Sequence, residues 1–458
     1  MMKVLYDTIV KATYVSRPNR FVVNVRLFDA EDCFDSSGSA TTVLGYKQVV
    51  AYDNAVPVSS NETVAVDLSE TMTVGPSETV LAHLPNPGRM WELLFPGVVM
   101  YLVPHDKPDA KTKYRVVGIE RDGQVIMLDT NYSNDVAQHL IENQLIPGWE
   151  QWRVVRREYT VGKSRFDLLL TNDEGEHFLL EVKSCTLFSH KGAMFPDAIT
   201  ERGRKHLIHL RELQDEGYHT GVLFLVQWNR AQWFLPDYHT DLAFANTFQD
   251  VAPHLDWKAV AVAWDETFTM PNVAHECVYP AHVLDSEAYD EGVYIMVMHL
   301  GEDKDIEIGS KGMMHFRAGY YMYVGSAKAN LTKRMERHTR KRKKMHWHLD
   351  YFRSHCDMIA GVPIRTSGYP LEMWGMIHEP YPSMPSMPNP YNETSVECAL
   401  ADAISAIAEW SVPQFGSSDC YCESHLFGMS QNPIHTKAFM DVVEEFRMNQ
   451  LDAIVRIV

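Results

Sequence analysis

Two acidic residues and a lysine stand at spacings that suit hydrolysis of a phosphodiester. Asp167, Glu181 and Lys183 belong to SRFDLLLTNDEGEHFLLEVKS, residues 164–184. Two carboxylates on neighbouring strands can hold Mg²⁺ or Mn²⁺ through their oxygens. A nearby lysine can neutralise the charge that develops on phosphate during attack by water. The alternative is that Glu181 and Lys183 form an ordinary exposed strand pair beside a surface aspartate.

This chemistry needs a β-hairpin of one particular register. If residues 173–175 form a three-residue loop, with Gly175 in the left-handed position that such loops favour, then Asn172 faces Glu176 and Asp167 lies opposite Glu181. Lys183 shares the face of Glu181 because side chains on a strand alternate. A loop one residue longer or shorter would turn Asp167 to the other face.

The neighbours of Glu181 favour the functional interpretation. Leu179, Leu180 and Val182 are apolar, so we expect a central strand. An unpaired glutamate there would cost several kcal/mol.

A second candidate site lies towards the C-terminal end of the sequence. GVYIMV starts at Gly292, YVGSA follows at residue 323, and LTKRMERH then predicts a helix. These motifs resemble the GIY-YIG nuclease superfamily, which groups two tyrosines, an arginine and a helix glutamate around one metal ion. The resemblance implies catalytic roles for Tyr294, Tyr323, Arg334, His338 and Glu397, with Glu397 as a metal ligand.

A basic run overlaps this second candidate. Residues 333–344, KRMERHTRKRKK, contain eight Lys or Arg and one Glu, although the chain has a formal charge of −18. We interpret the run as a basic helix that contacts nucleic-acid phosphates, the alternative being a solvated helix end. The predicted contact residues are Arg337, Arg340, Lys341, Arg342, Lys343 and Lys344.

Cations and a ring near the N-terminal end could also bind nucleic acid. Arg17, Arg20, Phe21, Asn86 and Arg89 combine positive charge with a stacking surface. The alternative, which has equal weight, is that the NPGRM segment is a simple turn without a binding role.

A long predicted helix from Asp197, its expected N-cap, to Gly217 places Arg202 and His206 four residues apart on one face, in reach of a phosphate or of the scissile group. The alternative is a solvated helix face.

A possible zinc site lies near the C-terminal end. Cys420, Cys422 and His425 could bind zinc, but the C-x-C-x-x-H spacing is unusual for that metal, and buried thiols beside a capping histidine are the preferred interpretation. Any fourth ligand would come from His346, His348 or His355.

The elements that carry these residues predict a multidomain α+β and α/β protein. Short β-rich runs predict a small all-β unit over residues 1–125, with an insertion at about 29–79. Strands alternating with helices predict an α/β domain over 126–285. A third α+β domain follows over 286–435, with a Pro-rich insertion at about 366–394, and residues 436–458 predict a helix.

Several motifs together resemble the sugar fermentation stimulation protein A family. They are RPNRF, NPGRM followed by ELL, KTKYRVV, SRFD, LLEVKS and FPDAITERGRKHL, and they cover about residues 8–266. The resemblance implies an OB-like barrel followed by a PD-(D/E)XK, restriction-endonuclease-like domain. The third domain is similar to a little-characterised GIY-YIG-like family through GYYMYVGSA, KKMHWHLDYF and ECALA.

The composition limits the partners and the cellular location that can be expected for this protein. The negative charge argues against non-specific adhesion to nucleic acid or anionic lipid, so any nucleic-acid site is a local patch. Seven scattered cysteines and no leader-like or membrane-spanning stretch predict a soluble, cytoplasmic protein without a membrane partner. We therefore expect a DNA- or RNA-binding, Mg²⁺-dependent nuclease. The alternatives are a non-catalytic DNA-binding regulator and a protein-interaction scaffold.

Overall fold

The structure, a computed structural model, describes residues 3–28, 34–35, 79–105, 110–162, 164–368, 395–418 and 420–455. Most of the two predicted insertions, at residues 29–79 and 366–394, lies outside these residues. The described part separates into two compact units. The first comprises residues 1–87, 96–131 and 264–270, and the second holds residues 88–95, 132–263 and 271–458. Among the described residues, no helix is long and apolar enough to cross a membrane.

The first unit is built on a closed ring of five strands. The ring runs β1-β2-β4-β6-β5 and returns to β1, with β3 paired to β1 and β7 to β6. Buried side chains alternate along β1 and β2 and point into the ring. The strands are β1 (Thr8–Asn19), β2 (Val22–Leu27), β3 (Phe34–Asp35), β4 (Thr79–His83), β5 (Val99–Pro104), β6 (Tyr114–Arg121) and β7 (Gln124–Met127).

A later segment completes the ring unit. Residues 264–270, predicted as part of the middle domain, belong to this unit. Phe268 packs edge-on against the rings of Tyr6 and Tyr101. Gly118 lies beneath Phe268, where a Cβ atom would come within 2.4 Å of the ring.

The first part of the second unit centres on a six-stranded sheet of order β16-β15-β13-β10-β9-β8. Strands β10, β13 and β15 are parallel, with α2 and α3 in the connections, as expected for an α/β layer. Strands β11, β12 and β14 form a small side sheet. The strands are β8 (Arg153–Val161), β9 (Ser164–Thr171), β10 (His177–Cys185), β11 (Leu187–Phe188), β12 (Gly192–Phe195), β13 (His219–Val226), β14 (Trp233–Pro236), β15 (Asp256–Val262) and β16 (Ala274–Glu276).

Four helices accompany this sheet. Helix α2 begins one turn later than predicted, because Thr200, and not Asp197, accepts the capping hydrogen bond from the Gly203 amide. Asp197 instead accepts a hydrogen bond from the amide of Met90 at 3.1 Å. The helices are α1 (Ser133–Glu142), α2 (Glu201–Asp215), α3 (Leu242–Val251) and α4 (Ala281–Glu287).

The remainder of the second unit is a five-stranded antiparallel sheet of order β21-β17-β20-β23-β22. Alternate residues of β17 enter two apolar clusters, one on each face of the sheet. Helix α5 ends at Thr339, earlier than predicted, since five like charges follow and would repel one another in a helix. Strands β18 and β19 pair with each other as a separate two-stranded sheet. The strands of this part are β17 (Gly292–Leu300), β18 (Lys304–Glu307), β19 (Met313–Phe316), β20 (Gly319–Ala327), β21 (Asp357–Arg365), β22 (Trp410–Ser411) and β23 (Leu426–Met429).

The C-terminal helix is shorter than the predicted 436–458. It ends at Arg447 and is followed by a 3₁₀ turn over Asn449–Ala453. The helices around the second sheet are α5 (Leu331–Thr339), α6 (His348–Arg353), α7 (Val396–Ile407) and α8 (Lys437–Arg447).

Candidate functional site

The hairpin formed by β9 and β10 has the predicted register. Leu168 pairs with Leu180, one position beyond Asp167. At the loop, the Asn172 amide donates to the Glu176 carbonyl at 3.3 Å, and Gly175 takes a φ of +80°. The left-handed conformation explains why glycine occupies that position.

The hairpin brings the three predicted side chains together. The Val182 amide donates to Asp167 Oδ2 at 2.8 Å, so Asp167 lies beside the peptide that follows Glu181. Lys183 Nζ lies 2.5 Å from Glu181 Oε1. Glu181 is buried, and the Lys183 side chain is 22% exposed. The cluster therefore contains two carboxylates and one ammonium group at the end of the paired strands.

Helix α2 adds an imidazole and a guanidinium to the cluster. His206 Nδ1 donates to Glu181 Oε1 at 2.7 Å, and Arg202 Nε donates to His206 Nε2 at 3.4 Å. These two contacts fit the neutral imidazole with its proton on Nδ1. The predicted i, i+4 pair thus faces the carboxylates.

The cluster opens onto a polar cleft of about 270 Å³. The Arg165 and Glu158 side chains form an ion pair of 2.7 Å beside it. The cleft is lined by Glu158, Ser164, Arg165, Asp167, Glu181, Arg202 and His206.

The pKa values of the two carboxylates are shifted in opposite directions. Burial and the neighbouring charge of Glu181 raise the pKa of Asp167 above its usual value. Burial also acts to raise the pKa of Glu181, but the His206 hydrogen bond and the Lys183 charge outweigh it and hold that pKa below its usual value. Glu181 therefore stays ionised at a pH where Asp167 can already take up a proton.

The donor set fits a hard divalent cation. Both carboxylates supply oxygen, the ligand atom that Mg²⁺ and Mn²⁺ prefer. A cation between Asp167 and Glu181 would relieve the repulsion that raises the pKa of Asp167.

One residue of the cluster escaped sequence reasoning. Asn134 Nδ2, from the first turn of α1, donates to Asp167 Oδ1 at 3.0 Å and so orients the carboxylate. The sequence signal was slight, since Asn134 is a polar residue near a helix start, where polar residues are common for other reasons.

The N-terminal candidates, at and near the turn between β1 and β2, differ in how far they are exposed. Arg20 and Phe21 are exposed, and the Arg20 guanidinium carbon lies 4.9 Å from the centre of the Phe21 ring. Arg17 donates to the carbonyl oxygens of Arg20 and Asn86, so it braces this turn. Asn86 is buried, which corrects its predicted role as a contact for nucleic acid.

Arg89 also has a different role from the predicted one. Its side chain is 14% exposed, lies 3.4 Å from the buried Glu92 carboxylate and covers the Trp91 ring at 4.3 Å. These contacts compensate the buried charge of Glu92 and leave little of Arg89 for a phosphate.

The second candidate site is also assembled. Tyr294 Oη lies 3.1 Å from His338 Nε2, and the Tyr294 and Tyr323 ring centres are 6.4 Å apart. Gly325 pairs with Tyr294 across the sheet, and a Cβ atom there would meet the tyrosine hydroxyl at 2.5 Å. Glycine thus makes room for the Tyr294 ring.

Glu397 and Arg334 meet at one residue of β20. Ser326 Oγ donates to Glu397 Oε2 at 2.5 Å, and Arg334 donates to the Ser326 carbonyl at the same distance. Burial acts to raise the pKa of Glu397, but hydrogen bonds from His425 and Ser326 outweigh it and lower that pKa. A charged carboxylate thus lies near the tyrosine pair.

Burial favours the neutral forms of Tyr294 and His338. It raises the pKa of Tyr294 far above its usual value and lowers the pKa of His338 to about 3.

Two cations of the basic run, Arg337 and Lys343, make contacts within the fold. Arg337 donates to both carboxylate oxygens of the fully buried Asp350, and Lys343 Nζ lies 2.8 Å from the same carboxylate. The Lys343 side chain is only 6% exposed, so its predicted phosphate contact is wrong. Arg337 is committed to Asp350 in the same way. The remaining predicted cations, Arg340, Lys341, Arg342 and Lys344, are exposed.

The residues of the cysteine motif lie close together, and Cys420 and Cys422 are only partly buried, unlike the buried thiols of the preferred interpretation. Cys420, Cys422 and His425 come together with Cys398, and the three proposed histidines do not belong to this group.

Family models match most of the chain. The N-terminal match is described as "SfsA N-terminal OB domain" and covers residues 63–128. The middle match, "Sugar fermentation stimulation protein RE domain", covers residues 131–267. The third, "Domain of unknown function DUF123", covers residues 293–373 and 381–448.

Several sequences described as sugar fermentation stimulation protein homologs are similar to part of this chain. A sugar fermentation stimulation protein homolog of Methanothermobacter thermautotrophicus is 39% identical over 172 residues, which is 38% of this chain and 71% of the relative. A homolog of Clostridium tetani is 38% identical over 169 residues, 37% of this chain and 74% of the relative. A solved structure described as Pyrococcus furiosus SfsA in complex with Ca²⁺ is 22% identical with a TM-score of 0.45, covering 61% of this chain and 99% of that chain.

Proposed function

We propose that this chain, which belongs to the sugar fermentation stimulation protein family, binds nucleic acid and cleaves phosphodiester bonds with the help of a divalent metal ion. One observation carries the proposal. Asp167 and Glu181, from two paired strands, line an open polar cleft that also receives Arg202 and His206 from α2, and Lys183 contacts the Glu181 carboxylate. Anionic metal ligands and phosphate-binding cations thus share one accessible site.

The middle domain would then be of the PD-(D/E)XK type. Asp167 and Glu181 would hold Mg²⁺ or Mn²⁺, which supplies polarisation of the phosphate and activation of a water molecule. Lys183 would neutralise charge on the phosphate oxygens, and Arg202, exposed at the rim, would bind the phosphate chain. His206 would keep the Glu181 carboxylate in place through its 2.7 Å hydrogen bond.

Two other surfaces would supply binding. The exposed Arg20 and Phe21 pair on the OB-type domain suits a phosphate and a stacked base. The exposed cations Arg340, Lys341, Arg342 and Lys344 suit a polynucleotide backbone. The third domain, if it is of the GIY-YIG type, would add a second metal site at Glu397 with Tyr294 and Tyr323.

The test is cleavage of labelled single- and double-stranded DNA and RNA with Mg²⁺, with Mn²⁺ and with a chelator. We expect metal-dependent cleavage that falls at least about 100-fold in Glu181→Gln and in Asp167→Asn, the scale on which removal of one charged catalytic group acts. Glu174→Gln makes the same charge change on the exposed hairpin loop and serves as the matched control.

The outcomes separate the two domains and the regulatory alternative. Cleavage that is lost in Tyr323→Phe but kept in Glu181→Gln would move the active site to the third domain. Tight, sequence-selective DNA binding with no cleavage, unchanged in Glu181→Gln, would replace the enzyme with a non-catalytic regulator.

A further inference from the structure

Three thiols and one imidazole converge at the start of β23 and α7. The ligand atoms of Cys398, Cys420, Cys422 and His425 all lie within 4.8 Å of one another. In a tetrahedral zinc site with Zn–S bonds of about 2.3 Å, neighbouring sulfur atoms are about 3.8 Å apart. The spacing of the four groups is therefore close to that of the first coordination shell of a single ion.

We propose that these four side chains bind one Zn²⁺ in a closed Cys₃His site. Thiolate and imidazole ligands select zinc over Mg²⁺ and Mn²⁺, which take oxygen ligands. Four protein ligands leave no position for water, so the ion is structural and not catalytic. This site is distinct from the carboxylate cluster, and its existence does not depend on nuclease activity.

His425 is held in position by the backbone on both sides. Its amide donates to the Phe415 carbonyl at 2.8 Å, and its carbonyl accepts from the Val324 amide at 2.9 Å. Its side chain is 2% exposed, and Nε2 lies 3.3 Å from Cys420 Sγ. The nitrogen that would bind the ion thus already faces the thiols.

The other imidazole nitrogen faces a carboxylate. His425 Nδ1 lies 3.4 Å from Glu397 Oε1. Histidines that bind zinc commonly direct their second ring nitrogen to a carboxylate, which fixes the ring and raises its basicity. Glu397 would be a positioning residue for this site, and the ion would in turn hold Glu397 beside Ser326.

The two loop cysteines gain most from an ion. Tyr421, between them, is 94% exposed, so its ring adds little apolar burial to this part of the loop. Cys398 lies in the first turn of α7, where its amide donates to the capping Ser395 Oγ at 3.2 Å. One ion would join this helix to the loop and to β23.

The test is the zinc content of the full chain, purified under reducing conditions without chelators or metal-affinity resins and measured by plasma mass spectrometry. We expect about one zinc per chain, and less than about 0.1 in Cys420→Ser/Cys422→Ser. Cys277→Ser removes a buried thiol outside the cluster and should keep the metal. X-ray absorption should show three sulfur neighbours and one nitrogen.

Three results would overturn the proposal. They are a reduced wild-type chain that takes up no zinc on reconstitution, zinc that remains in the double variant, or a first shell without sulfur. His425→Ala keeps all three thiols and tests the site if the double variant fails to fold, with a drop in zinc affinity as the expected result. The readout is metal content, so failure of the cleavage assay does not affect it.

Discussion

His239 is a buried imidazole whose two nitrogens both have defined partners. Nδ1 accepts a hydrogen bond from the Arg365 amide at 2.9 Å, and Nε2 donates to the Arg447 carbonyl at 2.8 Å. Burial, followed by the charge of Arg447, lowers the pKa of His239 to about 3. A second proton on Nδ1 would remove the acceptor of the Arg365 amide, so the folded protein holds this histidine neutral.

This arrangement predicts a loss of stability on mild acidification. Unfolded histidine has a pKa of about 6.5, so the unfolded state takes up the proton first as the pH falls. The contribution of His239 is complete above about pH 6.5 and declines towards its folded pKa of about 3. Below pH 6.5 the free energy of unfolding should approach a fall of about 1.4 kcal/mol per pH unit for this residue.

Urea denaturation between pH 7 and 5.5 measures this slope before most carboxylates titrate. His239→Gln should unfold at a lower urea concentration than the wild type at pH 7. Its free energy of unfolding should also fall less steeply as the pH is lowered, by up to the contribution of one histidine. His338, whose pKa is also lowered to about 3, should keep its own contribution in the variant. Equal slopes in the two proteins would contradict the prediction.

At the scale of single residues, contacts between side chains close in sequence were predictable, and contacts between distant ones were not. Asp167 and Glu181 are joined by a short hairpin, so alternation and one glycine conformation were enough to pair them. Cys398 lies on α7 and meets Cys420 only through tertiary packing, which no spacing rule describes. The sequence does not distinguish Lys343 from its basic neighbours, because its burial depends on the contact with Asp350 of α6.

Among the secondary-structure elements, α8 is joined to the middle part of the second unit by a buried ion pair. Arg447 donates to both oxygens of Asp237 at 2.9 and 3.0 Å and to Thr240 Oγ1 at 2.6 Å. The side chains of Arg447 and Asp237 are 4% and 0% exposed. Without Arg447, the buried Asp237 carboxylate would keep the amide donors of His239 and Thr240 but lose the guanidinium that balances its charge.

Removal of one partner should therefore be costly. Arg447→Ala should lower the free energy of unfolding by about 3 to 5 kcal/mol, the range for breaking a buried pair. Arg211→Ala, which breaks the exposed pair with Asp215 on α2, should cost less than about 1 kcal/mol. Chemical denaturation of both variants makes the comparison. Similar small losses would mean that α8 is not held by this pair.

The elements themselves were predicted better than their ends. The run HTGVLFLVQ gave the buried parallel strand β13 because continuous apolar residues mark strands covered on both faces. Helix α2 was expected from Asp197, but that carboxylate accepts from Met90, more than a hundred residues earlier in the chain, and Thr200 caps the helix. Local propensity favours both residues as caps, and tertiary contacts decide between them.

At the scale of the whole molecule, the net charge of −18 is unfavourable for nucleic acid, and within the described part of the chain residues 340–344 form a locally basic segment. The chain carries −18, yet residues 340–344 keep four exposed cations after Lys343 has turned inwards. A polynucleotide would be repelled by most of the surface and attracted there, which restricts non-specific binding. Binding through this segment should depend steeply on salt, since each phosphate contact releases counterions.

Neutralising two of these cations should reduce the salt dependence of DNA binding more than the same change in net charge made elsewhere on the chain. In Arg342→Gln/Lys344→Gln, the slope of the logarithm of the DNA association constant against the logarithm of the salt concentration should become less steep by up to about 2. Lys258→Gln/Lys437→Gln makes the same change in net charge at two lysines that pair with Glu276 and Asp441. Fluorescence anisotropy over a salt series measures both slopes. If the two double variants shift the slope equally, the effect belongs to net charge and residues 340–344 are not the contact.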